Sequence, residues 1–173
     1  LSGKYDVTVR AAETAGTTLI IAGSAKVGGE SHMWVMGASP KAVLWETHLA
    51  AGTTSEAHAI AVAANSITLG GTRVSAHKGR SVLFELDALG QPRTSMDAPL
   101  AGVSGIYGVL VADEGFLLVG ERFQTDLDNQ GWVARVGAFG HQTCGAAGKC
   151  GDKKRADCDD GKPCTIDTCA AGT

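Results

Sequence analysis

The cysteines are the residues best equipped for chemistry. Cys144, Cys150, Cys158, Cys164 and Cys169 crowd the C-terminal end of a 173-residue chain, with five, seven, five and four residues between them. A structural zinc centre asks for two paired C-x₂₋₄-C elements, a redox couple for C-x-x-C and a c-type haem for C-x-x-C-H. The chain meets none of these requirements. The segment 142–173 is short, polar and glycine-rich. Such a piece cannot bury enough apolar surface to fold by itself, so disulfides are its expected staple. That chemistry implies an oxidising compartment, either secreted or at the cell surface. Five is an odd number. The leftover sulfur either has its partner beyond Thr173, stays a free thiol, or joins a second chain.

Carboxylates offer a second possibility. In DLDNQG (126–131), Asp126, Asp128 and Gly131 have a turn spacing able to wrap calcium, but the twelfth position of an EF-hand would be Gly137, which excludes that motif. Asp159, Asp160 and Asp167, with Asp157, could chelate the same ion from the tail. The competing readings are a solvated hairpin turn and a solvated acidic loop. The corresponding turns KVGGES (26–31) and SAHKGR (75–80) lack the acids, so calcium is not expected in every unit. The histidines (His32, His48, His58, His77, His141) show no H-x-x-H or H-E-x-x-H spacing, and no serine sits in G-x-S-x-G. Gly28-Gly29 and Gly70-Gly71 read as β-turn glycines without the helix that phosphate binding needs. No catalytic residue is assigned. Trp34, Trp45 and Trp132 fall inside strand patterns and are expected to fill space between packed layers, with a sugar-stacking platform as the rival role.

These groups need a scaffold, and the preceding residues supply an apolar one. Apolar residues make up 44% of the chain and charged residues 19%, with a slightly positive mean hydropathy, which supports a packed core. The formal charge is −3, and no Lys/Arg stripe exists to neutralise phosphates, so nucleic acid is excluded as a partner. Apolar runs such as TLIIAG (18–23) and YGVLVA (107–112) are far too short to cross a bilayer. Residue 1 is Leu, and no basic segment leads into an apolar stretch, so the chain reads as a processed product or a piece of a longer precursor.

With 24 glycines, four prolines and apolar runs of five to seven residues, the pattern is that of short strands joined by turns. Three units repeat, at about 4–54, 55–104 and 105–141. Their first strands are KYDVTVRAA (4–12), AHAIAVAAN (57–65) and IYGVLVADE (106–114), which aligns His58 with Tyr5 and Tyr107. Second strands follow, carrying Gly23, Gly71 and Gly120 at spacings of 48 and 49. Third strands end near Gly37-Ala38, Asp87-Ala88 and Gly137-Ala138, each 50 apart. A fourth strand follows in the first two units, at 42–50 and 92–100, and the cysteine segment begins where the third unit's should be. Four antiparallel strands per repeat of about 50 residues match a β-propeller blade, with small residues suited to an inner strand near an axis; a solenoid or sandwich is the other all-β reading.

SVLFELDALGQ (81–91), GWVARVGAFGH (131–141) and, more loosely, MWVMGASPKAVLWE (33–46) resemble the bacterial seven-bladed propeller repeats known as SBBP repeats. That resemblance covers roughly 4–141 and implies propeller blades. CDDGKPCTIDTC (158–169) resembles the CxDGNxCTxDxC repeats of extracellular proteins of slime moulds and predatory or gliding δ-proteobacteria, which implies secretion. A propeller closes only with ~4–8 blades. Three units therefore predict apolar faces covered by further blades of a precursor or by other copies of the chain, in a ring or a fibre. The expected function is an extracellular structural or interaction module for adhesion or assembly, without catalysis, meeting a surface glycan or protein. The alternative is a carbohydrate-binding or enzymatic propeller whose active residues lie on other blades. No cofactor is expected beyond calcium.

Overall fold

The computed structural model describes residues 6–49, 54–63, 65–75, 78–97, 103–112, 115–125 and 128–137. They are all-β and form three antiparallel meanders. The first sheet runs β1 (Asp6–Ala15), β2 (Thr18–Val27), β3 (Glu30–Ala38) and β4 (Val43–Leu49) in chain order. The second repeats the order with β5 (Thr54–Ala63), β6 (Ser66–Ser75), β7 (Lys78–Asp87) and β8 (Pro92–Asp97). The third contains β9 (Val103–Ala112), β10 (Gly115–Thr125) and β11 (Asp128–Gly137). Each sheet begins with a hairpin whose strands are joined by two residues, as the pairs Ala15–Thr18, Ala63–Ser66 and Ala112–Gly115 show. Gly16 at φ 62°, and Gly28 and Gly29 at 62° and 92°, supply the positive φ that tight hairpin turns of this hand require.

The three sheets stack face to face in sequence. β5 lies across β1, β2 and β3, and β9 lies across β5, β6 and β7 in the same way. Between the first two sheets, Ile20, Val35, Ile67, Leu69, Val82, Phe84 and Leu86 form the larger core. Leu83 meets Ile106, Phe116, Leu118, Trp132 and Val136 between the second and third. Volume is balanced between the two interfaces. Gly70 leaves room for Ile106 and Val109, which a Cβ there would approach to 2.6 Å. The equivalent first-interface residues, Ala22 and Ala57, are both fully buried in one cluster. A glycine faces two branched side chains in one joint, and two alanines occupy the equivalent positions in the other.

A hydroxyl latch recurs at both joints. Ser55 Oγ accepts the N–H of Met33 at 2.9 Å, and Ser104 Oγ accepts the hydroxyl of Ser81 at 2.7 Å. Ser55 and Ser104 each stand three residues before the bulged residue of their strand (58 and 107), and Met33 and Ser81 are equivalent positions on third strands. Tryptophan locks the first joint from the outer side. Trp45 on β4 covers Gly37 of its own sheet and Gly90 of the next, while Thr47 Oγ1 donates to Gly90 O at 2.7 Å.

The register corrects two alignments made from the sequence. In every first strand one residue bulges out of the ladder opposite the recurrent glycine: Arg10, His58 and Tyr107. His58 therefore matches Arg10, not Tyr5, which lies outside the described residues. The bulge shifts the side-chain alternation by one, so the apolar run VTV is not equivalent to the run after His58. Likewise Asp87 corresponds to Ser39 rather than Gly37, because Leu19–Ala38 and Ile67–Leu86 are matching pairs. Both residues cap the turn that follows. Asp87 Oδ1 accepts Leu89 N and Gln91 N at 2.9 Å, and Ser39 Oγ accepts Lys41 N and Ala42 N at 3.3 and 3.1 Å.

The recurrent glycines have one shared cause. A Cβ on Gly23, Gly71 or Gly120 would run into the carbonyl of Thr8, Glu56 or Gly105, which the bulge bends over it. Gly71→Ala is expected to lower stability by about 1–3 kcal/mol, since the obstacle is main chain. Gly131→Ala, where a Cβ meets nothing within 4 Å, should stay within about 0.5 kcal/mol of wild type in the same urea melts. Ser55→Ala removes the acceptor of a buried N–H and should cost about 1–3 kcal/mol by the same measurement.

Candidate functional site

The three bulges bring together a set of polar side chains that the apolar strands would otherwise lack. A bulge re-aims a side chain by placing two residues opposite one. Here the extra residue stands thirteen positions before the recurrent glycine in each unit (10 and 23, 58 and 71, 107 and 120). Because β1, β5 and β9 are edge strands of successive packed sheets, Arg10, His58 and Tyr107 form one row along the edge of the stack. Neighbours in the row touch. Arg10 Nη2 donates to Glu56 Oε2 at 3.5 Å, linking the first two sheets. The rings of His58 and Tyr107 lie 4.8 Å apart and tilted by 35°, linking the second and third. The ring of Tyr107 depends on Gly105 as well, where a Cβ would come within 3.1 Å of it and 2.7 Å of Thr72 Oγ1.

Burial pushes the His58 imidazole below its ordinary value of 6.5; Glu56 works against this and Arg10 reinforces it. Burial also raises the Tyr107 phenol above its ordinary value, as do Glu121 and Glu56, while Arg10 opposes the rise. At neutral pH the row thus presents a neutral imidazole, a neutral phenol, a guanidinium and carboxylates. Hydrogen bonding and stacking are the chemistry it offers.

A second feature is a cleft of about 430 Å³ between the opening hairpins of the first two sheets. Thr14, Thr18 and Ser66 place hydroxyls around an apolar floor that includes Ile20, Val62 and Ile67. Among the described residues its lining offers hydroxyls and apolar surface, the chemistry of hydrogen bonding and contact.

The residues singled out from the sequence fall elsewhere. Cys144, Cys150, Cys158, Cys164 and Cys169 lie outside the described residues, as do Asp126, Asp159, Asp160 and Asp167. Asp128 opens β11 opposite Thr125, and its side chain is outside the described set. Among the described residues, no three His, Cys, Asp or Glu side chains gather to hold a metal ion, and no helix is long and apolar enough to cross a membrane. Trp34 and Trp132 are buried and Trp45 half-buried, as packing residues should be. Trp34 Nε1 donates to Glu46 Oε1 at 2.7 Å. Trp132 Nε1, at the equivalent place in the third sheet, has no hydrogen-bond partner among the described residues.

Glu56 escapes the sequence reading because the first strand of its unit begins there at Ala57, three residues after Thr54, where β5 starts. The constant thirteen-residue offset from glycine was the signal that could have found the row. The chain matches no protein-family model and no curated protein.

His58 makes the fold pH-sensitive. Its folded pKa is lowered, so the unfolded chain binds the proton more tightly. Stability present above 6.5 is therefore lost as the pH falls toward the lowered value. His58→Phe, which keeps a ring beside Tyr107, should flatten the dependence of urea midpoint on pH across that range.

Proposed function

We propose that the chain is an extracellular structural or interaction module, a section of a β-propeller-like stack that works by assembly rather than catalysis. The observation that carries this reading is an open face at the end of the stack. Cross-strand partners share a face, so Leu110, Leu117, Val119 and Val133 lie together on the side of the third sheet away from the second, with Arg135 beside Leu117 on the same side. Leu110 is 62% exposed, Val119 46% and Val133 39%. The residues in the same register of the first sheet, Ala22 and Val35, and of the second, Gly70 and Leu83, are buried by the sheet that follows. A contiguous apolar surface of this kind marks an interaction site.

A further sheet of the same kind fits the open face, because the two internal joints already pack a large-residue face onto it. Another copy of the chain can supply that sheet, and so can a further blade of a longer precursor. The cysteine-rich segment supports the extracellular part of the reading, since a cluster of this type persists as disulfides only under oxidising conditions. Calcium at the acidic turn and tail is a secondary part of the proposal.

Size-exclusion chromatography with light scattering tests the assembly. The purified chain should self-associate as concentration rises, and the double variant Leu110→Lys/Val133→Lys should remain a folded monomer. A wild-type chain that stays monomeric at high micromolar concentration would sink assembly between copies. Intact mass with and without reduction, after thiol alkylation, should show bridged cysteines.

A further inference from the structure

We propose that the row Arg10–Glu56–His58–Tyr107 is a binding site for a neutral oligosaccharide. The site is complete within one chain and does not depend on what covers the end face of the stack.

The argument begins with what the repeat holds constant and what it varies. The bulge and the glycine beneath it recur in all three units. Only the identity of the bulged residue changes, and each choice is a planar group able to hydrogen-bond: guanidinium, imidazole, phenol. On β5 the bulged His58 stands between two alanines, Ala57 and Ala59, where a space-filling residue would be small and apolar. Its counterparts are not buried as filler would be. Arg10 keeps 48% of its side-chain surface open, and Tyr107 is 46% exposed.

The ligand class follows from the groups. Tyr107 with His58 gives an exposed aromatic surface, which favours either a cation or the C–H face of a sugar ring. A cation would compete with Arg10, whose guanidinium already neutralises the Glu56 carboxylate. An anion would meet Glu56 and Glu121, whose charges both reach Tyr107, while the imidazole stays neutral. A neutral polyhydroxylated ring satisfies every group at once. One hydroxyl donates to the Glu56 carboxylate while its neighbour accepts from the Arg10 guanidinium, a donor and acceptor already 3.5 Å apart. The ring's apolar face lies against Tyr107. The row crosses the edges of three stacked sheets through contacts of 3.5 Å between Arg10 and Glu56 and 4.8 Å between the His58 and Tyr107 rings, so it offers one continuous surface to a chain of sugar rings.

Isothermal titration of the whole chain with cellotriose, chitotriose, mannotriose and tri-glucuronic acid tests the assignment. At least one neutral trisaccharide should bind more tightly than its monosaccharide. Tyr107→Ala should weaken that binding by about fivefold or more, because it removes the ring against which the sugar face lies. Tyr107→Phe should stay within about threefold, since it keeps the ring and loses only the hydroxyl. Arg10→Ala and Glu56→Gln, both at partly exposed side chains, should each weaken binding in a protein whose circular dichroism is unchanged. The proposal is overturned if no neutral trisaccharide binds up to tens of millimolar. It is equally overturned if Tyr107→Ala and Arg10→Ala leave binding intact, or if the anionic trimer binds more tightly than the neutral ones.

Discussion

A backbone carbonyl pressed over a glycine is the contact on which the rest of the structure depends. In each unit the bulge bends the first strand until the carbonyl of Thr8, Glu56 or Gly105 lies where a side chain would otherwise stand on Gly23, Gly71 or Gly120. Bulged strands bend and twist more strongly than regular ones. The bend is what lets β5 and β9 leave the plane of their own sheets and lie across three strands of the sheet before. Once they do, Ser55 and Ser104 reach the third strands of their neighbours, and the apolar faces close.

The joints are built alike but filled differently. Gly70 receives Ile106 and Val109, while Ala22 and Ala57 share the corresponding space in the first joint. Close-packed interiors penalise both voids and overlap, so the substitutions must compensate across the joint rather than within one strand. The first joint adds Trp45, whose ring covers Gly37 and Gly90 and so links β4 to the turn after β7. Surface ion pairs contribute less. Asp97 meets Arg73 at 2.6 Å and Arg80 at 3.4 Å, yet all three side chains are solvent-accessible, where screening leaves such pairs weak.

The same bend that builds the stack also exposes the chemistry. An edge strand normally offers alternating side chains to two faces. The extra residue of the bulge falls outside that alternation, so it can be large and polar while Arg10 and Tyr107 stay largely exposed. Repetition then aligns three such residues, and packing between sheets brings them into contact. The frame is shared across units while the presented group changes.

Much of this was legible in the chain. Short apolar runs between Gly, Ser, Thr and Asn determined an all-β protein, and the spacing of Gly23, Gly71 and Gly120 revealed three repeats of strands in hairpin order. Turn chemistry at Gly28-Gly29 and the fourth strands after residues 42 and 92 were also written locally. The bulge was not, because it adds one residue without changing composition. Alternation alone therefore placed Tyr5 beside His58, matched Gly37 with Asp87, and began a strand after Glu56. Only the tertiary structure decided that Arg10, His58 and Tyr107 stand in one row. Their nearness comes from sheets stacking on one another, a relation between residues about fifty positions apart that no local pattern encodes.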